Sequence, residues 1–542
     1  MLHPDRFWTR RDFLKLVSQA GLISTVPNLA RAAAALNSDT VSISILHTTD
    51  LHGHILPTSD YNGNPDLGGL ARCVTQIRHW RRQNPNSILI DVGDVYQGTD
   101  VGLRGKGELM IDLFNHLKYD AWVVGNHEFD WGIEPFLHAV EKSTMPVLAA
   151  NTLVEGRQAG EISDAKNPFA KIQPYIMKEV AGIKIAIIGV TTPGMPFWFR
   201  PQFIRGIDFQ YPVEPVRRAI AKAKNEGANA IVLTGHMGLK ARTGGDDFAN
   251  NVMALTDEFP ETAVFIAGHT HHAISSRMTN GVLLTQADHF GIHAGRVDLV
   301  FDRNSKKLLH RESDCELMDK RFQFDHVVIS RAKSELAESE AALAEPIGEL
   351  AETLRVRSRP AHPSDVEKLI GASILESLRE RGVPVDGAMH GGFDEETDVA
   401  AGPKTVGDIW NIIPYENYLV TAELSSDEIK MIMEEVYASH EGRNLLGFEV
   451  KTEGRGGERR IASIVLADGR PLVRDKNYVI AFNTFDSRSA GHRFMKLRAL
   501  LETPSAHCIM HPVQTRDALI EYFQRHKVVR KIADGREWPI AA

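Results

Sequence analysis

Ser87-Ile88-Leu89-Ile90-Asp91-Val92-Gly93-Asp94-Val95-Tyr96-Gln97-Gly98 is the stretch from which the fold can be read. An apolar run rich in Ile and Val predicts a short buried strand, and a Gly-Asp turn closes it. The same pattern recurs on both sides. Val41–Leu46 runs into Asp50-Leu51-His52-Gly53-His54, and Ala121–Val124 into Gly125-Asn126-His127-Glu128-Phe129-Asp130. Ala230–Thr234 runs into Gly235-His236-Met237-Gly238, and Ala263–Ala267 into Gly268-His269-Thr270-His271. Val147–Ala150, Lys184–Val190 and Gly281–Thr285 are further apolar runs. Gly69–Arg82 and Val213–Glu226 have helical character. Such alternation predicts a layered α/β domain with buried strands.

In an open α/β sheet, sites form beyond the carboxyl ends of the strands. Here five apolar strands each deliver Asp, Asn or His at that end. Together these residues make a mixed oxygen and nitrogen donor set, suited to Mn, Zn, Fe or a similar divalent ion. No cysteine takes part. A single strand-end His is usually a hydrogen-bonded structural residue. Five polar strand ends would each need a separate reason to crowd a buried edge. His54, Glu128 and His272 adjoin these motifs and are read as surrounding or surface residues.

The chain has 542 residues, several times the ~150-residue modal domain, so two domains are expected. Hydrophobic residues make up 43% and charged residues 24%, an ordinary globular composition that excludes a disordered or collagenous chain. The formal charge of −8 speaks against a nucleic-acid binder held by phosphate contacts. Cys73, Cys315 and Cys508 lie too far apart for a disulfide framework. A metal-site domain is expected over 41–320 and a long, mostly solvated linking helix over 324–354. A second, smaller α/β domain is expected over 355–530, with helices Ser364–Arg381 and Ser426–Ser439 and strands Leu419–Glu423, Ile461–Leu466 and Tyr478–Asn483.

The N-terminus carries Arg10-Arg11, an apolar stretch over Leu16–Leu29 and the small-residue end Ala30-Arg31-Ala32-Ala33. Residues 1–32 thus have the outline of a signal peptide, and the Arg pair resembles a twin-arginine signal. The expectation is export by the twin-arginine machinery to the periplasm, with no stable membrane insertion after cleavage.

The motifs D-x-H, G-D-x-x-x-G, G-N-H-E-F-D, G-H and G-H-T-H, in this order, resemble those of the calcineurin-like metallophosphoesterases. Gly125-Asn126-His127-Glu128-Phe129-Asp130-Trp131-Gly132 is similar to the 5′-nucleotidase family in particular. The resemblance implies a layered β-sandwich flanked by helices, a linking helix and a smaller α/β substrate domain. It implies two divalent ions: Asp50, His52, Asp94 and His271 for one, and Asp94, Asn126, His236 and His269 for the other, with Asp94 shared. It makes His127 and Asp130 the catalytic pair and a small phosphorylated molecule the substrate. The chemistry agrees. Two divalent ions roughly 3.5–4 Å apart polarise a tetrahedral ester and acidify the attacking water. His127 can neutralise or protonate the leaving oxygen, and Asp130 can hold its other ring nitrogen. Asp130 could instead cap a helix over Trp131–Val140.

The C-terminal part resembles the family in Val406-Gly407-Asp408-Ile409-Trp410, Pro414-Tyr415-Glu416-Asn417 and Asn483-Thr484-Phe485. The resemblance marks Gly391, Gly392, Asn417 and Phe485 as substrate-binding. Three family features are missing. His390-Gly391-Gly392-Phe393-Asp394-Glu395 stands where the family has Asn-Gly-Gly-Gly-x-Arg. The ribose-binding Asp has no counterpart, and the ring that should oppose Phe485 falls near Gly442. Arg443, Arg488 and Arg493 are basic substitutes if they are not simply solvated. Phe485 itself could belong to the core. The hydrolytic parts are therefore clearer than the nucleotide-reading parts. Alternatives are a relative acting on another tetrahedral ester, such as a thiosulfohydrolase or a cyclic-nucleotide phosphodiesterase, and a binding protein that keeps its metals without turnover.

Overall fold

The computed structural model describes residues 39–239, 249–393, 397–439, 442–454 and 460–533. The export signal read over 1–32 and the acids Asp394 and Glu395 lie outside these residues. The chain divides into two compact units, one of residues up to Pro193 with Gly206–Ala332, the other of Gly194–Arg205 with the residues from Lys333 onward.

The first unit is a sandwich of two mixed sheets. One has the strand order Leu308–Leu317, His293–Asp302, Thr40–Thr48, Ser87–Asp91, Ala121–Val123, Val147–Leu148, Ile172–Gln173. The other runs Ala273–Thr279, Val282–Ala287, Val264–Ala267, Ala230–His236, Ile183–Thr191, Tyr175–Val180. In both, the central strands are parallel and the antiparallel pairings lie toward the edges. Alternate residues of the facing strands form the core between the sheets: Ile43, Ile45, Ile88 and Ile90 from one, Ile185, Ile187, Val232 and Ile266 from the other. Burial on both faces explains why these strands read as nearly continuous apolar runs. Helix Val213–Asn225 packs Val216, Ala219, Ile220 and Ala223 on the outer face of the second sheet, against Ile188, Val190, Ile231 and Leu233. Each parallel strand ends at the same edge, so side chains far apart in sequence converge there.

The long linking helix does not form. The stretch instead contains His326–Arg331, begun by Asp325, whose carboxylate accepts from the N–H groups of Val327 and Val328, then Lys333–Leu343, then a strand, Pro346–Leu350. Pro346 has no N–H to continue a helix. Beyond it the backbone pairs with Gly402–Thr405 and Val528–Val529. Over 333–343 the expected solvated character holds, since Ser339 is the one buried residue of that helix.

The second unit centres on a five-stranded sheet ordered Asn444–Leu446, Gly387–His390, Asn477–Asn483, Tyr418–Ser425, Ile509–Gln514. Helix Asp365–Glu380 starts at Ser364, which exchanges hydrogen bonds with Glu367 in a capping box. It buries Leu369, Ile370, Ile374 and Leu378 in the core on one side of the sheet. Ser426–Ala438 buries Ile429, Ile432, Met433 and Val436 in a second core. The three cysteines are free. Among the described residues no helix is long and apolar enough to cross a membrane.

Candidate metal centre

The strand ends bring all seven expected ligands together. Two triads have donor atoms within 4.8 Å of one another: Asp50, His52 and His271, and Asp94, His236 and His269. Asp94 faces both, with Oδ2 3.0 Å from His236 Nε2 and 3.7 Å from His52 Nε2. Asn126 joins the second triad through Oδ1, 2.9 Å from His269 Nδ1. The backbone is bent to achieve this. Asp50, His52, Asp94, His269 and His271 all have φ between 48° and 77°, the left-handed region that non-glycine residues occupy at a cost of ~1–3 kcal/mol each. Crowding is tight as well: a Cβ on Gly125 would fall 2.3 Å from Asp94 Oδ1.

The donor chemistry fits a cation. His236 Nδ1 lies 2.7 Å from the Val92 carbonyl and His52 Nδ1 2.8 Å from that of Gln97. Donation of Nδ1–H to these carbonyls leaves each Nε2 as a lone-pair donor. His236 Nε2 is fully buried and makes no hydrogen bond of acceptable geometry, yet it faces the Asp94 carboxylate. His52 Nε2 and His271 Nε2 stand 3.3 Å apart, with Asp50 Oδ1 3.3 Å from the latter. Electron-pair donors converging in a dry site repel unless a positive charge lies among them. Without metal, a proton takes that place. Burial opposes charge on His236, but the Asp94 and Asp50 carboxylates outweigh it and raise its pKa to about 9. Burial holds His52 and His269 down, each to about 3.

His127 stands beside this cluster. Its ring lies edge-on to His52, with centroids 5.1 Å apart, and its Nδ1 is 2.7 Å from Asp130 Oδ2. Burial works against a charge here, but Asp130 and Asp94 overcome it and raise its pKa to about 10. Asp130 does not cap the following helix. That helix is Ile133–Lys142, preceded by Gly132, and Asp130 instead closes the short turn His127–Phe129.

Glu128, expected around the ligands, has a specific part that the sequence did not show. It is fully enclosed, and its two oxygens accept from the N–H groups of Asp94 (3.0 Å), Val95 (2.7 Å) and Gly125 (2.6 Å). One carboxylate thus ties the loop carrying Asp94 to the loop carrying Asn126. An acid placed directly after Asn-His on a tight turn was the available signal. His54 stacks on Phe290 at 3.9 Å and His272 is exposed, as expected of residues around the ligands.

In the second unit, Gly391, Asn417 and Phe485 fall in one neighbourhood. Asn417 Oδ1 accepts from Thr484 Oγ1 (3.1 Å) and from the Phe485 N–H (3.2 Å), so it positions the turn that carries Phe485. Phe485 is half-buried against the core. Next to it Asp486 is fully buried and pairs with Arg443 at 3.0 Å. A Cβ on Gly391 would lie 2.0 Å from the Gly442 carbonyl and 2.7 Å from Arg443 Nη1, so only glycine fits there; Gly392 follows it, partly exposed. Arg443 and Arg488 are not solvated surface groups, whereas Arg493 is exposed. Arg443 pairs with a buried carboxylate. Arg488 is itself buried and donates to Glu502 and to the Pro196 carbonyl. Arg493 donates to the Ala490 carbonyl.

Comparison with known proteins agrees with this division. Residues 43–273 match the calcineurin-like phosphoesterase family model, and residues 346–498 match that of the 5′-nucleotidase C-terminal domain. The endonuclease YhcR of Bacillus subtilis is 26% identical over 487 residues, 86% of this chain and 38% of that protein. The snake venom 5′-nucleotidase of Crotalus adamanteus is 32% identical over 286 residues, 50% of this chain and 47% of that protein. The chain therefore spans less than half the length of these curated relatives. The solved 5′-nucleotidase precursor of Thermus thermophilus superposes with a TM-score of 0.68 at 23% identity, covering 92% of this chain and 99% of that one. This likeness shows a shared fold.

Proposed function

We propose that this calcineurin-like phosphoesterase domain, joined to a 5′-nucleotidase C-terminal domain, hydrolyses small phosphomonoesters at a site for two divalent ions. The observation that carries the reading is the convergence of His ring nitrogens on Asp94 and Asp50, with His127 beside them. When bound, two such ions supply Lewis acidity toward a phosphoryl group and acidify the attacking water.

The chain's own residues do the rest. Asp94 faces both donor triads and holds their spacing. Glu128 fixes the turns from which Asp94 and Asn126 project. Asp130 holds the Nδ1–H of His127, so that Nε2–H is turned to the substrate. The Asp130 carboxylate favours the protonated ring of His127 beside it. That ring can neutralise charge on a phosphoryl oxygen and pass its Nε2 proton to the departing alkoxide. Residues 1–32 are read as a twin-arginine signal that delivers the protein to the periplasm.

A phosphodiesterase is the second reading, favoured by the likeness to a relative named as an endonuclease. An acidic chain lacks the phosphate-binding charge of a general nuclease, so the monoester is preferred. Hydrolysis of an aryl phosphate monoester, the corresponding diester and a thiosulfate ester by the metal-loaded protein separates these readings. The monoester should be cleaved fastest. Faster cleavage of either other substrate would replace the assignment.

A further inference from the structure

The imidazoles of the centre are not oriented alike. His52 and His236 are each held through Nδ1 by a main-chain carbonyl, and His269 turns Nδ1 to the fellow ligand Asn126. His271 is different: its Nδ1 meets a side chain, the phenol oxygen of Tyr61, at 2.6 Å. Tyr61 is 61% exposed, in the loop closed by the bridge between Thr58 and Leu67.

An exposed Tyr on a loop would ordinarily be free to turn. Here its ring stacks on His289 with centroids 4.2 Å apart at 12°, and His289 stacks on His271 at 4.8 Å and 9°. His289 is itself anchored. Asp288 takes its Nδ1 at 2.6 Å and that of His293 at 3.0 Å. The phenol is thus held in place by a stack running from Asp288 through His289, and its oxygen is aimed at the one ring nitrogen of His271 that faces away from the cluster.

We propose that Tyr61 is a positioning residue for His271 and sets metal occupancy of the Asp50–His52–His271 half of the centre. This rests on the binuclear reading above. Ligation through Nε2 leaves the proton on His271 Nδ1, and the phenol oxygen is placed to accept it, which stabilises the tautomer whose Nε2 lone pair points toward Asp50 and His52. Were the phenol to donate instead, Nε2 would carry the proton and could not ligate. A main-chain carbonyl can only accept, which is why His52 and His236 need no such device. The phenol acts through His271, which belongs to one triad and not to the other, so the effect is confined to one half of the site.

Outer-sphere partners of this kind change metal affinity by about 10–100-fold. The test uses the full chain, stripped of metal and titrated with Co²⁺, following visible absorption and metal content after equilibrium dialysis. Wild type, Tyr61→Phe, Tyr61→Ala and His271→Ala are compared. Tyr61→Phe keeps the stack and removes the oxygen. The wild type should take two equivalents. Tyr61→Phe should bind one as tightly as wild type and the other about 10–100-fold more weakly, with a changed spectrum for that ion alone. His271→Ala should lose the same ion.

Unchanged binding of both ions by Tyr61→Phe overturns the proposal and leaves the binuclear reading standing. The same holds if both ions weaken equally, or if only Tyr61→Ala shows an effect, since the stack alone would then be responsible. A wild type that never takes a second ion overturns the binuclear reading and the proposal together. Thermal unfolding of metal-free Tyr61→Phe should match wild type, because Tyr61 is exposed and the stack is kept.

Discussion

In the proposed hydrolysis, His127 and Asp94 have different tasks. His127 faces the cluster without being needed as a donor, so His127→Ala should keep its metal content and fold. It should lose about 10²–10⁴-fold in kcat, the range of a positioned acid or base. Metal analysis beside steady-state kinetics checks this, and metal loss in the variant would reassign His127 as a ligand. Asp94 lies against donors of both triads, with Oδ2 3.0 Å from His236 and 3.7 Å from His52. Asp94→Asn should therefore weaken both ions, whereas His52→Ala should mainly empty one; isothermal titration of the stripped proteins distinguishes the two patterns. That the seven expected ligand side chains and the His127–Asp130 pair converge was legible because each sits at the end of an apolar strand, in a fixed motif. Glu128 and Tyr61 were not. Glu128 acts on main-chain N–H groups that only the folded loops bring together, and Tyr61 reaches His271 across 210 residues of sequence.

Helix Asp365–Glu380 carries a prediction at the scale of the element. Its cap partner Glu367 is buried, bonded to Ser364 N–H at 2.7 Å and Asn444 at 3.3 Å, while Oε1 has no hydrogen bond. Burial is the main cause that raises its pKa from 4.5 to about 7. The folded state therefore holds this proton more tightly than the unfolded chain does. Its stabilising contribution is full below the unfolded value of about 4.5 and fades as pH rises through about 7. Glu367→Gln should keep the cap and remove that dependence. The variant should gain up to roughly 3 kcal/mol on wild type as pH rises across this window. Thermal unfolding of both proteins across the window measures it, and a constant difference in melting temperature would count against the assignment.

Strands Tyr418–Ser425, Arg460–Leu466 and Asn477–Asn483 and the two capped helices of the C-terminal unit were also readable from periodicity and punctuation, whereas the short strands Gly387–His390, Asn444–Leu446 and Ile509–Gln514 were not. Nor was the linking segment. Ala, Glu and Leu signal helix up to Leu343, but the strand after Pro346 is specified by its partners Gly402–Thr405 and Val528–Val529, which lie far away in sequence.

For the whole molecule, the question is which phosphoester the proposed hydrolysis takes. Phe485 offers one ring face. Arg443, a cation in the same neighbourhood, is already committed to Asp486. Gly391 is packed against the Gly442 carbonyl, and the resemblance to the family puts the ring expected to oppose Phe485 near Gly442, with no aromatic there. One stacked face is worth about 1–3 kcal/mol, so discrimination between purine and pyrimidine nucleotides should be slight. An aryl phosphate should be hydrolysed with kcat/KM at least comparable to that of AMP. Phe485→Ala should change the AMP KM by less than about tenfold, as expected for a stack near the lower limit of that range. Strong AMP selectivity that collapses in Phe485→Ala would show a fully built nucleotide site.

The proposed hydrolysis needs two ions acting together, and the decisive measurement is reconstitution. Protein stripped by chelator should hydrolyse an aryl phosphate negligibly. Activity should return with Mn²⁺ or Zn²⁺, rising until two equivalents are bound per chain. Full turnover by metal-free protein, or saturation of activity at a single equivalent, would contradict it.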